Sequence, residues 1–228
     1  MQNRLSIIIP CLNEAESIGR LLTSLQLLRQ TGHEVILVDG GSHDGTVQIA
    51  QPLVDQLLCS KPGRAGQMNS GAAAANGSLL WFLHADTELP AGAAEAVISG
   101  IASGALWGRF DVRLSGQHPL LRMVAFMMNL RSRWTGIATG DQALFVRREL
   151  FDDVGGFPDI PLMEDIVLSQ RLGRVGRPLC LHLKLITSSR RWERRGIFRT
   201  IVLMWWLRLA FALGASPKRL ARWYLPAR

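Results

Sequence analysis

Three short apolar runs set the strongest limit on what this chain can fold into. "LSIIIP" (Leu5–Pro10), "EVILVDG" (Glu34–Gly40) and "LLWFLH" (Leu79–His84) are continuously apolar rather than alternating. Strands of that kind are buried on both faces, as in a parallel sheet covered by helices on each side. Helical segments separate them. "EAESIGRLLTSLQLLRQ" carries leucines at helical spacing, and "SHDGTVQIAQPL" opens a helix with Ser42 or Asp44 available as its cap. "AGQMNSGAAAAN" is a small-residue helix suited to close packing on a flat surface, and "LLWFLH" follows it as the third strand. The pattern predicts an α/β fold, mostly parallel, with ligands beyond the carboxyl ends of the strands. A length of 228 residues fits one such domain with a short appendage.

Polar groups cluster where those strands end. Asn13-Glu14 follows the first, Asp39 closes the second, and His84 and Asp86 close the third. Period-two geometry in a strand aims positions 84 and 86 to one side. The fingerprints GxGxxG and GxxxxGK[ST] are both absent. A magnesium or manganese ion held by Asp86, with His84 as a second candidate ligand, is the natural substitute for gripping phosphates. Arg64, just before the small-residue helix, can face the same phosphates. Glu164-Asp165 opens the amphipathic "MEDIVLSQRL". Acids favour first helical turns for the dipole alone, and a carboxylate at a cleft rim also suits a general base.

The order of "SIIIPCLNEAESI", "LVDGGSHDGT", "MNSGAAAANGSLLWFLHAD", "GGF" before "MEDIVLSQRL", and "SSRRW" resembles the family 2 glycosyltransferases with the GT-A fold, over roughly residues 5 to 195. The resemblance implies a Rossmann-like, mostly parallel sheet with helices on both faces. It also implies an inverting transferase that uses a nucleotide-diphosphate sugar. Glu14 and Asp39 then hold the nucleoside, and the metal motif reads His84-Ala85-Asp86, with its first Asp replaced. Asp165 becomes the base, and Pro10, Asn13, Arg64, Asn69, Glu164, Arg191 and Trp192 complete the donor side. Of the family's QxxRW motif, Arg191-Trp192 remains, with Ser188 where Gln would stand.

The formal charge is +8, and Lys184 to Arg228 carries eleven Lys or Arg against one acid, Glu193. Nucleic acid or an anionic membrane surface would answer to that excess, and the apolar content of the segment favours the membrane. Residues 196–228 are therefore read as a basic, Trp-rich helical tail on a 1–195 transferase domain. "IFRTIVLMWWLRLAFAL" (Ile197–Leu213) is shorter than the roughly 20 residues a span requires. Arg199 and Arg208 fall on opposite sides of it. A helix lying in the headgroup region fits better, on the cytoplasmic face of the cell membrane; packing on the domain or on a second copy of the chain is the rival. "PLLRMVAFMMNLRSRW" (Pro119–Trp134) reads first as core filling and second as a wall adaptable to an apolar acceptor, carotenoid- or polyprenol-like. No cleavable leader is expected, because Leu5–Ile9 is too short and meets Pro10. Three scattered cysteines suit a reducing compartment. Two other readings stand beside the transferase: a sugar-phosphate nucleotidyltransferase, and a non-catalytic module that binds nucleotide sugar or membrane.

Overall fold

A computed structural model describes residues 4–224. Its elements in chain order are β1 (Leu5–Cys11), α1 (Ala15–Ser24), α2 (Gln26–Gln30), β2 (Glu34–Asp39), α3 (Thr46–Ala50), β3 (Gln56–Cys59), α4 (Arg64–Ala74), β4 (Leu79–Phe82), α5 (Ala93–Ala102) and β5 (Trp107–Leu114). They continue with α6 (Pro119–Thr135), β6 (Phe145–Arg147), α7 (Arg148–Asp153), α8 (Glu164–Val175), β7 (Leu179–Thr187), α9 (Arg190–Arg195), α10 (Ile197–Ala212) and α11 (Pro217–Tyr224). One sheet runs β3-β2-β1-β4-β6-β5-β7, parallel except at β6, which pairs antiparallel with both β4 and β5.

Strand periodicity divides the core into two layers. Ile7, Ile9, Val35, Leu37, Leu79 and Trp81 face one side and pack with Ile18, Leu21 and Leu22 of α1 and Val97 and Ile101 of α5. Ile8, Ile36, Val38, Leu80 and Phe82 face the other, under Met68 and Ala72 of α4 and Leu168 and Leu172 of α8. Continuous apolar runs are needed because every position meets one layer or the other.

The small residues of α4 are required by its closeness to the sheet. A Cβ at Gly71 would come within 2.5 Å of Ile8 Cγ2 and 3.1 Å of Val38 Cγ2. Gly71→Ala should therefore cost about 1–3 kcal/mol through overpacking, despite alanine's better helix propensity. Chemical denaturation measures it; an unchanged or higher midpoint would mean that α4 sits farther from β1.

Several local expectations are corrected. The 14–30 helix breaks at Leu25, where the Gln26 side-chain amide donates to the carbonyls of Leu22 and Leu53 (2.7 and 3.0 Å) and takes over the bond that would have continued the helix. Helix α3 starts only at Thr46: Ser42 is spent on Asp39 and Asn13, while Asp44 Oδ1 accepts the Thr46 N–H at 3.1 Å. "LLWFLH" is the fourth strand, since the short edge strand β3 precedes it, and it ends at Phe82 rather than His84.

The tail is tied down on one side. Ile197 and Ile201 pack with Leu121, Val124 and Ala125 of α6, while Leu207 and Leu220 pack with Met163 and Ile166. The other side of α10 is exposed at Phe198 (73%), Val202, Trp205 (67%), Trp206, Leu209 and Leu213 (80%). These positions follow one another at helical spacing and form a stripe. Helix α6 divides likewise: Leu121, Val124 and Ala125 are buried, but Met123, Phe126 and Met127 are exposed, so core filling accounts for only half of it. No helix among the described residues is long and apolar enough to cross a membrane.

Candidate active site

Strands β1, β2 and β4 are parallel, so their carboxyl ends share one edge. The loops beyond β1 and β2 are laced together there. Asn13 adopts a left-handed backbone (φ 54°) and its Oδ1 accepts the His43 N–H at 2.9 Å. Its own N–H donates to Ser42 Oγ, and that of Glu14 donates to Thr46 Oγ1, each at 2.8 Å. Asp39 accepts the N–H groups of Gly41 and Ser42 at 2.9 Å and the Ser42 hydroxyl at 2.5 Å. Burial works to raise the Asp39 carboxyl, but these bonds outweigh it and hold it below the usual aspartate range. Pro10 sits one step inside the edge, opposite Val38.

Asp86 opens onto a cleft of about 260 Å³ lined also by Glu16, Ser188 and Arg190. The Arg190 guanidinium lies 3.2 Å from Glu14, 3.3 Å from Glu16 and 4.0 Å from Asp86. Burial raises the Asp86 carboxyl, and the Glu14 charge adds to the effect. Three carboxylates gathered around one cation make this a place that favours positive charge. Among the described residues, no three His, Cys, Asp or Glu side chains form a ready metal cage. A divalent cation there fits Asp86 with most of its ligands supplied by phosphate oxygens and water.

His84 does not share that cleft. Because β4 ends at Phe82, the period-two argument fails at positions 84 and 86, which lie in the following loop. The imidazole instead lines a cavity of about 10 Å³, room for one water, with Gly140, Glu164 and Asp165. Its Nε2 is buried without a hydrogen-bond partner. Burial first, then the Arg64 and Arg191 charges, push His84 well below the usual histidine range, so the ring is neutral at pH 7. A Cβ at Gly140 would stand 2.7 Å from that Nε2, so a larger residue there would have to displace the ring.

The acid pair is placed by a sharp entry into α8. Met163 takes φ 70°, and Glu164 and Asp165 begin the helix. Asp165 Oδ2 accepts the Gly140 N–H and Oδ1 accepts the Ile166 N–H, both at 2.8 Å. Arg64, the first residue of α4, stands 4.0 Å from Glu164 Oε1. Burial raises both acids above their usual ranges. For Asp165 the Gly140 and Ile166 bonds and the Arg64 charge oppose that rise, while Asp141 adds to it. A raised carboxyl is the better proton acceptor near neutrality. If Asp165 is the base, the acidic limb of kcat/KM should lie above the usual aspartate range, and Asp141→Asn should move it to lower pH. A limb that does not move would dissociate Asp165 from the proton transfer.

Other residues named from the sequence have structural partners. The Asn69 amide donates to the Phe157 carbonyl (2.8 Å) and accepts the Phe157 N–H (3.0 Å), clamping α4 to the loop before α8. Arg191 lies 4.6 Å above the Tyr224 ring, and Trp192 packs beside Leu114 and Leu121. Arg190, in contrast, reaches the cleft and was hidden among four nearby arginines. Gly140 and Asp141 belong to no motif; only the fold brings them to the acid pair.

Comparisons with known proteins bear on the family and the fold. A model of "Glycosyl transferase family 2" matches residues 6–156. The Bacillus subtilis probable glycosyltransferase YdaM is 26% identical over 84% of this chain and 50% of that protein. Haloferax volcanii glycosyltransferase AglE is 29% identical over 68% of this chain and 56% of that protein. The chain thus spans about half the length of these two relatives. The Mycobacterium tuberculosis glycosyltransferase Rv1514c, named as uncharacterized, is 30% identical over 79% of this chain and 72% of that protein. Among solved structures, Staphylococcus aureus TarS 1–349 with UDP superposes with a TM-score of 0.64 at 19% identity, covering 81% of this chain and 60% of that one. The Pyrobaculum calidifontis mannosyltransferase PcManGT, with GDP-Man and Mn2+, gives 0.59 at 21% identity over 82% of this chain and 57% of that one. The architecture is the GT-A fold, and with the family model spanning the strand ends that hold Glu14, Asp39 and Asp86, the chain belongs to glycosyl transferase family 2.

Proposed function

We propose that the chain is an inverting glycosyltransferase that moves a hexose from a nucleotide-diphosphate sugar to a hydroxyl or carboxyl of a lipid-linked or apolar acceptor. The observation that carries the reading is the pairing of two unlike sites on one sheet edge. One is a cation-favouring cleft at Asp86; the other is a buried acid pair whose Asp165 is held by Gly140. Asp86 would hold a magnesium or manganese ion, which when bound supplies positive charge to the departing diphosphate. Asp39, fixed as an anion, and Glu14 serve the nucleoside, and Arg190 can exchange its carboxylates for diphosphate oxygens. Asp165 accepts the acceptor's proton as that oxygen attacks the anomeric carbon from the face opposite the diphosphate. Solved relatives of the fold carry UDP with Mg2+ or GDP-Man with Mn2+, which supports the donor class. A thermal-shift screen of nucleotide sugars with Mn2+, followed by assay of nucleoside diphosphate release, tests the reading, since a bound donor raises Tm. No shift and no release across uridine, guanosine and thymidine donors would reject it.

The reading extends to the membrane surface at the cytoplasmic face. Its support is the exposed stripe from Phe198 to Leu213 set among the tail's basic residues. Attraction to anionic lipid is worth about 1 kcal/mol per basic residue near the surface and is screened by salt, whereas the tryptophans add an apolar term that salt leaves intact. Truncation is a poor test, because Leu207 and Leu220 cover Met163 and Ile166 beside the acid pair. Replacing exposed Phe198, Trp205 and Leu213 together by serine leaves those contacts in place. Wild type should bind anionic vesicles better than neutral ones, high salt should weaken binding in part, and the triple variant should lose most of it. Equal failure to bind either vesicle, with a folded dimer in solution, would make the stripe a packing surface between two copies.

A further inference from the structure

Arg190 puts a cation among the carboxylates that suit a divalent ion. It opens α9, and its Nη2 lies 3.2 Å from Glu14 Oε2 and 4.0 Å from Asp86 Oδ2. Its Nη1 lies 3.3 Å from Glu16 Oε2. Ser188 orients the side chain: its Oγ accepts the Arg190 Nε–H at 3.0 Å and the Arg190 backbone N–H at 3.2 Å. That serine stands where the family's QxxRW motif has Gln, so a departure from the pattern aims the guanidinium. Helix α9 is held from its other side, with Arg191 over the Tyr224 ring and Trp192 packed beside Leu114 and Leu121. A divalent ion and the guanidinium would both draw on Asp86, and like charges gathered on one carboxylate repel.

We propose that Arg190 is a built-in competitor of the divalent ion: it holds Glu14, Glu16 and Asp86 against the ion alone, and turns to a diphosphate when ion and nucleotide arrive together. The competition with metal stands on the ion pairs; the diphosphate half rests on the transferase reading. Phosphate oxygens accept the paired N–H groups of a guanidinium as carboxylates do, so the exchange keeps the charge satisfied. With 41% of its side chain exposed, Arg190 can turn without unpacking the core. The consequence is selectivity, since the cleft takes the ion with its nucleotide in preference to the ion by itself. Apparent affinity for the free ion falls in proportion to the fraction of molecules in which the guanidinium has left.

Titration of the full chain with Mn2+ alone, followed by loss of the free-ion EPR signal, tests this without reference to turnover. Arg190→Gln should bind Mn2+ about tenfold more tightly than wild type, the scale set by a few partly exposed ion pairs. With chelator present, the same variant should bind UDP or GDP more weakly. Opposite signs in one variant are the signature, because a merely structural arginine would weaken both or change neither. Arg190→Lys, which keeps the charge, should bind Mn2+ more nearly as the wild type does. Arg20, the other arginine of the cleft, lies 3.8 Å from Glu88. Arg20→Gln should change Mn2+ affinity far less, and an equal gain there would reduce the effect to net charge and overturn the proposal. Tighter Mn2+ binding in Arg190→Gln, with no UDP or GDP bound by wild type, would leave the competition standing and remove the transferase reading. An Mn2+ affinity unchanged or weakened in Arg190→Gln would overturn the competition itself.

Discussion

Asp165→Asn should reduce turnover by about 10²–10⁴-fold while leaving donor affinity near that of the wild type. The amide oxygen can still accept the Gly140 N–H, so the loop stays anchored to α8. What the amide cannot do is take a proton. The alternative role for Asp165 is structural, as an acid at a helix start that also fastens Gly140. Loss of that fastening would move Gly140 against His84, disturb the edge as a whole, and lower donor binding and turnover together. Measuring the nucleoside diphosphate dissociation constant beside kcat separates the two roles. A variant with near-normal kcat would remove Asp165 from the chemistry.

Asp86→Ala should abolish the metal-dependent part of nucleoside diphosphate binding. Burial and the Glu14 charge already make the Asp86 carboxylate costly to leave unpaired, which is the condition under which a cation gains most by binding. Removal also frees Arg190 from one of its three carboxylates, so weak, metal-independent binding should persist through the guanidinium. Titrating UDP and GDP into wild type and variant, with Mn2+ and with chelator, measures the difference. Equal affinities with Mn2+ in both proteins would show that the cleft does not use a metal held by Asp86.

Much of the fold was legible because burial on two faces leaves a mark in one dimension. Ile7 to Ile9 and Val35 to Val38 have no polar position to spare, and their carboxyl ends carry Glu14 and Asp39 as expected. The edge strand β3 left a weaker mark: its residues are only partly buried, so its sequence needs no unbroken apolar run. His84 was misdirected for a definite reason. Period-two geometry holds only as far as Phe82; beyond it the chain leaves the strand and turns at Ala85-Asp86. The acid pair was visible as a local pattern, but its partner Gly140 lies 25 residues away and is set by tertiary contact alone.

The most direct test of the central claim, inverting transfer assisted by Asp165, is the anomeric configuration of the first product formed. A donor identified by thermal shift can be turned over with water as acceptor and followed by proton NMR, before mutarotation equilibrates the released sugar. From an α-linked nucleotide hexose, the account predicts that β-hexose appears first, and that Asp165→Asn slows its appearance by about 10²-fold or more. First release of the α-anomer, or release at an undiminished rate from Asp165→Asn, would contradict it.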